Sequence, residues 1–118
     1  MAAKDAVGRY GEDVAARRLE ELGWRMLDRN WRCARGELDI VAVDGASLVV
    51  VEVKTRRGSA MGSPLEAVTP RKLSKLRTLT AAWLAAHEGR WSEVRIDVIA
   101  VTLPRAGGPT LEHLKAVG

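Results

Sequence analysis

Gly36-Glu37-Leu38-Asp39-Ile40-Val41-Ala42-Val43, Asp44-Gly45-Ala46-Ser47, then Leu48-Val49-Val50-Val51-Glu52-Val53-Lys54-Thr55: this stretch decides the fold. Two runs rich in Val and Ile flank a four-residue segment with an Asp-Gly signal, the local signature of a β-hairpin. Glu37–Val43 and Leu48–Thr55 are read as its strands. Each run also carries acidic residues in apolar company. Ionised carboxylates are costly there unless something compensates them. A divalent cation bound by both runs would compensate them and could also do chemistry.

Side chains alternate along a strand. Glu37, Asp39, Val41 and Val43 therefore share one face, and Leu48, Val50, Glu52 and Lys54 share another. A two-residue turn at Gly45-Ala46 and a four-residue turn over 44–47 give the same register. Both place Asp39 opposite Glu52 and Glu37 opposite Lys54. Directly opposed residues have Cβ atoms roughly 4.5–5.5 Å apart, close enough for two carboxylates to share one cation. A three-residue turn would put Asp39 and Glu52 on opposite faces. Lys54, two residues after Glu52, would hold an attacking water or stabilise charge on a phosphate in flight. The plainer reading is a Glu37–Lys54 ion pair, with Asp39 and Glu52 exposed on an open sheet face. The pattern alone leaves both open.

Outward from the hairpin, Val7, Tyr10, Val14, Ala15, Leu19 and Leu22 recur at helical spacing from about Asp5 to Leu22, and Gly23 stops that helix. Trp24 to Trp31 reads as a strand and residues 32–36 as a turn. Arg56 to Pro64 reads as a flexible loop. Thr69-Pro70 opens a second helix, with Thr69 as N-cap and Pro70 in the first turn. It runs to about His87 with Leu73, Leu76, Leu79, Trp83 and Ala86 facing inward. Val94 to Leu103 is a further strand, and 110–117 a short terminal strand or helical turn. The order α-β-β-β-α-β predicts a mixed sheet flanked by helices in one domain over 1–118, with its core over about 5–103.

The 118 residues can bury a core without disulfides, and the single cysteine, Cys33, allows none within the chain. A reducing, cytoplasmic setting fits. His87 and His113 are far apart, so neither a zinc spacing nor a nucleophile–base pattern exists. No signal peptide or membrane span is expected. The net charge of +4 favours polyanion partners only weakly.

Asp39 followed by Glu52-Val53-Lys54 resembles the PD-(D/E)xK nuclease signature, with Leu38 where the loose signature has Pro. The fuller pattern runs Gly8…Gly11-Glu12, Arg29-Asn30, Gly36 to Ala42, Val51 to Arg56, Val68 with Lys72, and Arg95-Ile96-Asp97-Val98. It is similar to the YraN-like family of small predicted endonucleases related to archaeal Holliday junction resolvases. One departure is Val50-Val51 in place of the aromatic residue often found before Glu-Val-Lys. The resemblance implies a restriction-endonuclease-like α/β fold and nucleic-acid cleavage with Mg²⁺ or Mn²⁺. It implies Asp39 and Glu52 as metal ligands, Lys54 as the catalytic lysine, and Glu12 as a further acidic contributor to metal and catalysis.

Without the resemblance, Glu12 reads as a solvated helix carboxylate near the edge of the apolar stripe. Glu37 is read as holding Lys54. Arg56, Arg57, Arg71, Lys72 and Lys75 are candidates for phosphate contact, with Lys72 also matching the family position. Asp97 is read as buttressing Arg95 or a helix end rather than binding metal. The resulting expectation is a cytoplasmic Mg²⁺-dependent endonuclease acting on nucleic acid, DNA of branched or structured form, with no membrane and with a homodimer compatible with symmetric cutting. The rivals are a non-catalytic nucleic-acid-binding module and an interaction or scaffold protein using the open sheet face.

Overall fold

The computed structural model describes residues 5–58, 66 and 68–118. The elements run α1 (Ala6–Glu21), β1 (Arg25–Cys33), β2 (Gly36–Asp44), β3 (Ser47–Arg57), α2 (Pro70–Ala86), β4 (Glu93–Leu103) and β5 (Thr110–Leu114). The expected α-β-β-β-α-β order stands, and the short last element is a strand. The five strands form one sheet in chain order. β1–β2, β2–β3 and β4–β5 are antiparallel, while β3–β4 is parallel. A parallel pair needs a crossover, and α2 provides it.

Each helix starts where its chemistry allows. Asp5 caps α1 by accepting the Gly8 N–H at 2.8 Å. Thr69 caps α2 by accepting the Lys72 N–H at 3.1 Å, with Pro70 in the first turn. Gly23, at φ 88°, turns the chain from α1 into β1.

The sheet is covered on both faces. α1 lays Val14, Ala15, Ala16 and Leu19 on Ile40, Ala42, Val49, Val51, Val53, Ile99 and Val101. α2 lays Leu76, Leu79 and Trp83 on Leu38, Val41, Val43, Leu48 and Val50. β3 lies between β2 and β4, so Leu48 to Val53 are all buried. That position explains a run with no polar residue but Glu52. The Trp83 indole N–H donates to Asp28 Oδ2 at 2.9 Å and ties α2 to β1.

Three local expectations need correction. The turn expected over 32–36 is shorter, because pairing continues to Cys33↔Gly36. Arg56 and Arg57 belong to β3 rather than to a loop, since they pair with Thr102 and Leu103 of β4. The rest of that expected loop, 59–64, lies outside the described residues. Ala86 is exposed; Thr80 is buried, its hydroxyl returned to the Leu76 carbonyl at 2.7 Å. Among the described residues, no helix is long and apolar enough to cross a membrane.

Candidate functional site

The hairpin geometry is the one that brings Asp39 toward Glu52. Asp44 pairs with Ser47 across a two-residue turn, and the ladder continues to Ile40↔Val51. Gly45 takes φ 63° at the first turn position, which a residue with a side chain rarely adopts. The next step of that register is Asp39 and Glu52. The β2–β3 ladder stops before it, and the Val53 N–H goes instead to Asp39 Oδ2 at 2.9 Å. A buried backbone donor needs a partner, and here the carboxylate supplies it.

Asp39 and Glu52 line one cavity of about 350 Å³ with Glu37, Lys54, Lys72 and Lys75, over a floor of Leu76 and Leu79. Both carboxylates are buried, at 7% and 5% exposure. Burial pushes the Glu52 carboxyl above its ordinary range, and the neighbouring Asp39 charge pushes it further. Lys72 and Lys54 oppose the shift without cancelling it. The Lys72 ammonium stands 3.0 Å from Glu52 Oε2 and the Lys54 ammonium 3.6 Å.

The remaining candidates divide. Glu37 Oε2 accepts from Arg32 Nε at 3.2 Å across the β1–β2 register. The partner expected for it, Lys54, stands at Glu52 instead. Glu12 is not a solvated carboxylate: it is 3% exposed. Its neighbour Gly11 lies so close to Thr55 of β3 that a methyl group there would collide with it. Glu12 does not line the cavity of Asp39 and Glu52. Arg57 lines a separate cavity of about 530 Å³ with Gly58, Leu103, Pro104 and Arg105. Arg56 and Arg71 line neither. The structure thus brings Lys72 and Lys75, of the five basic candidates, to the acidic pair.

Two contributors were not read from the sequence. The Val53 N–H is a backbone group with no residue-type signal. The apolar floor of Leu76 and Leu79 was read as core only. The Asp97 expectation holds: Arg95 donates to its Oδ1 at 3.0 Å from Nε. His113 Nε2 lies 2.8 Å from Oδ2, and the Ala116 N–H donates to Oδ1 at 3.0 Å.

Chemically, two buried carboxylates side by side, Asp39 and Glu52, suit a small hard cation. Mg²⁺ and Mn²⁺ take oxygen ligands, and Mg²⁺ commonly uses one or two carboxylates while keeping several waters. Among the described residues, no group of three or more His, Cys, Asp and Glu side chains is gathered to hold a metal. The donor set therefore fits an open, water-rich site rather than a closed protein cage.

The fold and the cavity together define a mixed α/β protein with a buried acidic pair at the divergence of two central strands. Within that class, the chain belongs to the uncharacterised protein family UPF0102, whose model matches residues 11–101. A UPF0102 protein of Kineococcus radiotolerans is 60% identical over 116 residues, covering 98% of this chain and 95% of its own. One from Beutenbergia cavernae is 58% identical over 118 residues, the whole of both chains. One from Streptomyces coelicolor is 54% identical over 119 residues, covering 99% of this chain and 92% of its own.

Proposed function

We propose that the protein is a divalent-cation-dependent endonuclease of restriction-endonuclease-like type, cleaving phosphodiester bonds of nucleic acid. The observation that carries the reading is the shared cavity of Asp39, Glu52 and Lys54, with Glu52 held by two ammonium groups. Asp39 and Glu52 would hold Mg²⁺ or Mn²⁺. Bound there, the cation would supply Lewis-acid polarisation and a more acidic water.

The chain's own groups do the rest. Asp39 is fixed by the Val53 N–H. The Lys54 ammonium, at the mouth beside Glu52, donates hydrogen bonds to a phosphate oxygen as charge develops on it. Lys72 and Lys75 on α2 offer positive charge to the adjoining backbone phosphates. Leu76 and Leu79 keep water from the rear of the cavity. Glu12, buried on α1, is the further acidic contributor that the likeness implies. Branched or structured DNA is the substrate suggested by the likeness to resolvases, which also makes a homodimer part of the proposal; the single cysteine, Cys33, adds a reducing, cytoplasmic setting to it.

A second reading is favoured by one observation. Lys72 and Lys54 both pair with Glu52, so the chain's own cations partly offset its charge, as a non-catalytic nucleic-acid-binding module would require. The deciding experiment is cleavage of branched and linear DNA with and without Mg²⁺ or Mn²⁺. Metal-dependent cutting, abolished in both Asp39→Asn and Lys54→Ala, supports the nuclease. Cleavage unchanged in those variants would come from a contaminant. DNA binding with no cleavage under either metal would select the binding module.

A further inference from the structure

Asn30 has φ 53° in the interior of β1. This is the left-handed region, which Asn tolerates better than most residues bearing a Cβ. Its register position faces Asp39, because the flanking pairs are Arg29↔Ile40 and Trp31↔Leu38. Residues two apart on a strand ordinarily point to the same side of the sheet. Here they do not. Arg29 reaches Asp13 of α1 at 2.8 Å, while Trp31 packs in the α2-side cluster. On the facing strand, Ile40 packs on the α1 side and Leu38 on the α2 side. Both strands change face across the single step Asn30–Asp39.

A side chain at such a crossover projects along the sheet rather than into either layer. Asp39 does so: its carboxylate reaches sideways to the Val53 N–H of β3. That donor lies beyond the Ile40↔Val51 pair where the β2–β3 ladder ends. A backbone residue held in a sparsely populated conformation beside a functional group is a recurrent way of aiming that group.

We propose that Asn30 is a positioning residue. Its left-handed conformation turns β1 and β2 together and aims the Asp39 carboxylate along the sheet toward β3 and Glu52. Side chains that resist this conformation let β2 continue its regular alternation and carry the carboxylate away from Val53. The consequence for metal binding rests on the nuclease reading above; the consequence for the Asp39–Val53 hydrogen bond does not.

The test compares Asn30→Gly, Asn30→Ala and Asn30→Val with wild type, and uses Asp39→Ala as the reference for a lost acceptor. Amide hydrogen exchange is read at Val53, with Val51, inside the ladder, as internal control. General destabilisation speeds both amides alike; loss of positioning speeds Val53 selectively. Asn30→Val, which resists positive φ, and Asp39→Ala, which removes the acceptor, are both expected to raise the Val53 rate at least ~10-fold over Val51. Asn30→Gly, which accepts positive φ freely, is expected to stay near wild type. Mn²⁺ titration should show affinity weakened ~10–100-fold in Asn30→Val and little changed in Asn30→Gly. Should Asn30→Val fail to fold, Asn30→Ala carries the same comparison with a milder penalty. Wild-type exchange at Val53 in both Asn30→Val and Asn30→Ala would overturn the proposal. A wild-type protein that binds no Mn²⁺ would sink the nuclease reading, and the Val53 amide would still decide the role of Asn30.

Discussion

Glu52 is asked to be ionised where burial opposes it. Its raised pKa means the fold prefers its neutral form. The sign follows from linkage. A carboxyl raised on folding contributes stability that is fully present below its unfolded pKa and lost as pH rises through the folded value. Above the unfolded value burial of this carboxyl is therefore a cost that Lys72 and Lys54 reduce but do not remove. Glu52→Gln keeps the shape and abolishes the charge. Without metal, that variant should melt a few degrees above wild type at pH 7.5. The gap should close when both are measured well below the ordinary carboxylate pKa. Thermal melts across pH check this, and a lower melting temperature for the variant at pH 7.5 would show that the lysine pairing outweighs burial. Asp97 has the opposite sign. Burial acts to raise it, but the hydrogen bonds from His113, Arg95 and the Ala116 N–H win and hold it below its usual range. Its contribution is present above the unfolded carboxylate pKa and disappears as pH falls through the lower, folded value.

Those hydrogen bonds also join elements. Asp97 on β4 holds His113 of β5 and the Ala116 N–H beyond it. The Val117 N–H donates to the Ile96 carbonyl at 2.8 Å, next in line. Asp97→Asn leaves Arg95 and His113 facing a neutral group in a fully buried place. A loss of about 3 kcal/mol is expected at pH 7 from breaking a buried charged network. The variant should exchange amides of Thr110–Leu114 faster than those of β2, and its deficit should shrink in acid. Urea unfolding at pH 7 and pH 3 with hydrogen exchange reads both. On the other side of the sheet, α1 approaches β3 through Gly11, against Thr55. Gly11→Ala adds a methyl group that has no room, and overpacking of this kind costs about 1–3 kcal/mol. Pairing it with Thr55→Gly should recover part of that loss, since the space is contested by the Thr55 side chain itself. If the double variant is no more stable than Gly11→Ala alone, the close approach is not what Gly11 serves.

At the scale of the whole molecule, the two sheet faces do different work. α1 closes one face with apolar contacts, and α2 closes the other while delivering Lys72 and Lys75 to the acidic pair. Much of this was legible in the residues. The Val-rich run of β3, the Asp-Gly turn and the Thr69-Pro70 helix start are local signals, and the register followed from the turn. What was not legible depends on partners distant in sequence. Glu12 counts as polar in any periodicity, yet it is buried on α1, next to the Gly11 that packs closely against Thr55 of β3. Arg56 and Arg57 look like loop until β4 pairs with them. Lys72 meets Glu52 only because the crossover returns α2 over the hairpin. The candidate site is therefore a product of topology, and so is the basic face that the proposed nucleic acid would meet. Each phosphate neutralised releases counterions, so log K falls with log salt by about 0.9 per contact on duplex DNA. Lys75 lines the cavity and, in this structure, forms no ion pair with Glu52. Lys75→Ala should lower the salt slope of DNA binding, measured in EDTA, by about one. Lys72→Ala should lower it by less, because its ammonium must first leave Glu52. Equal slopes for wild type and both variants would place the nucleic-acid surface away from α2.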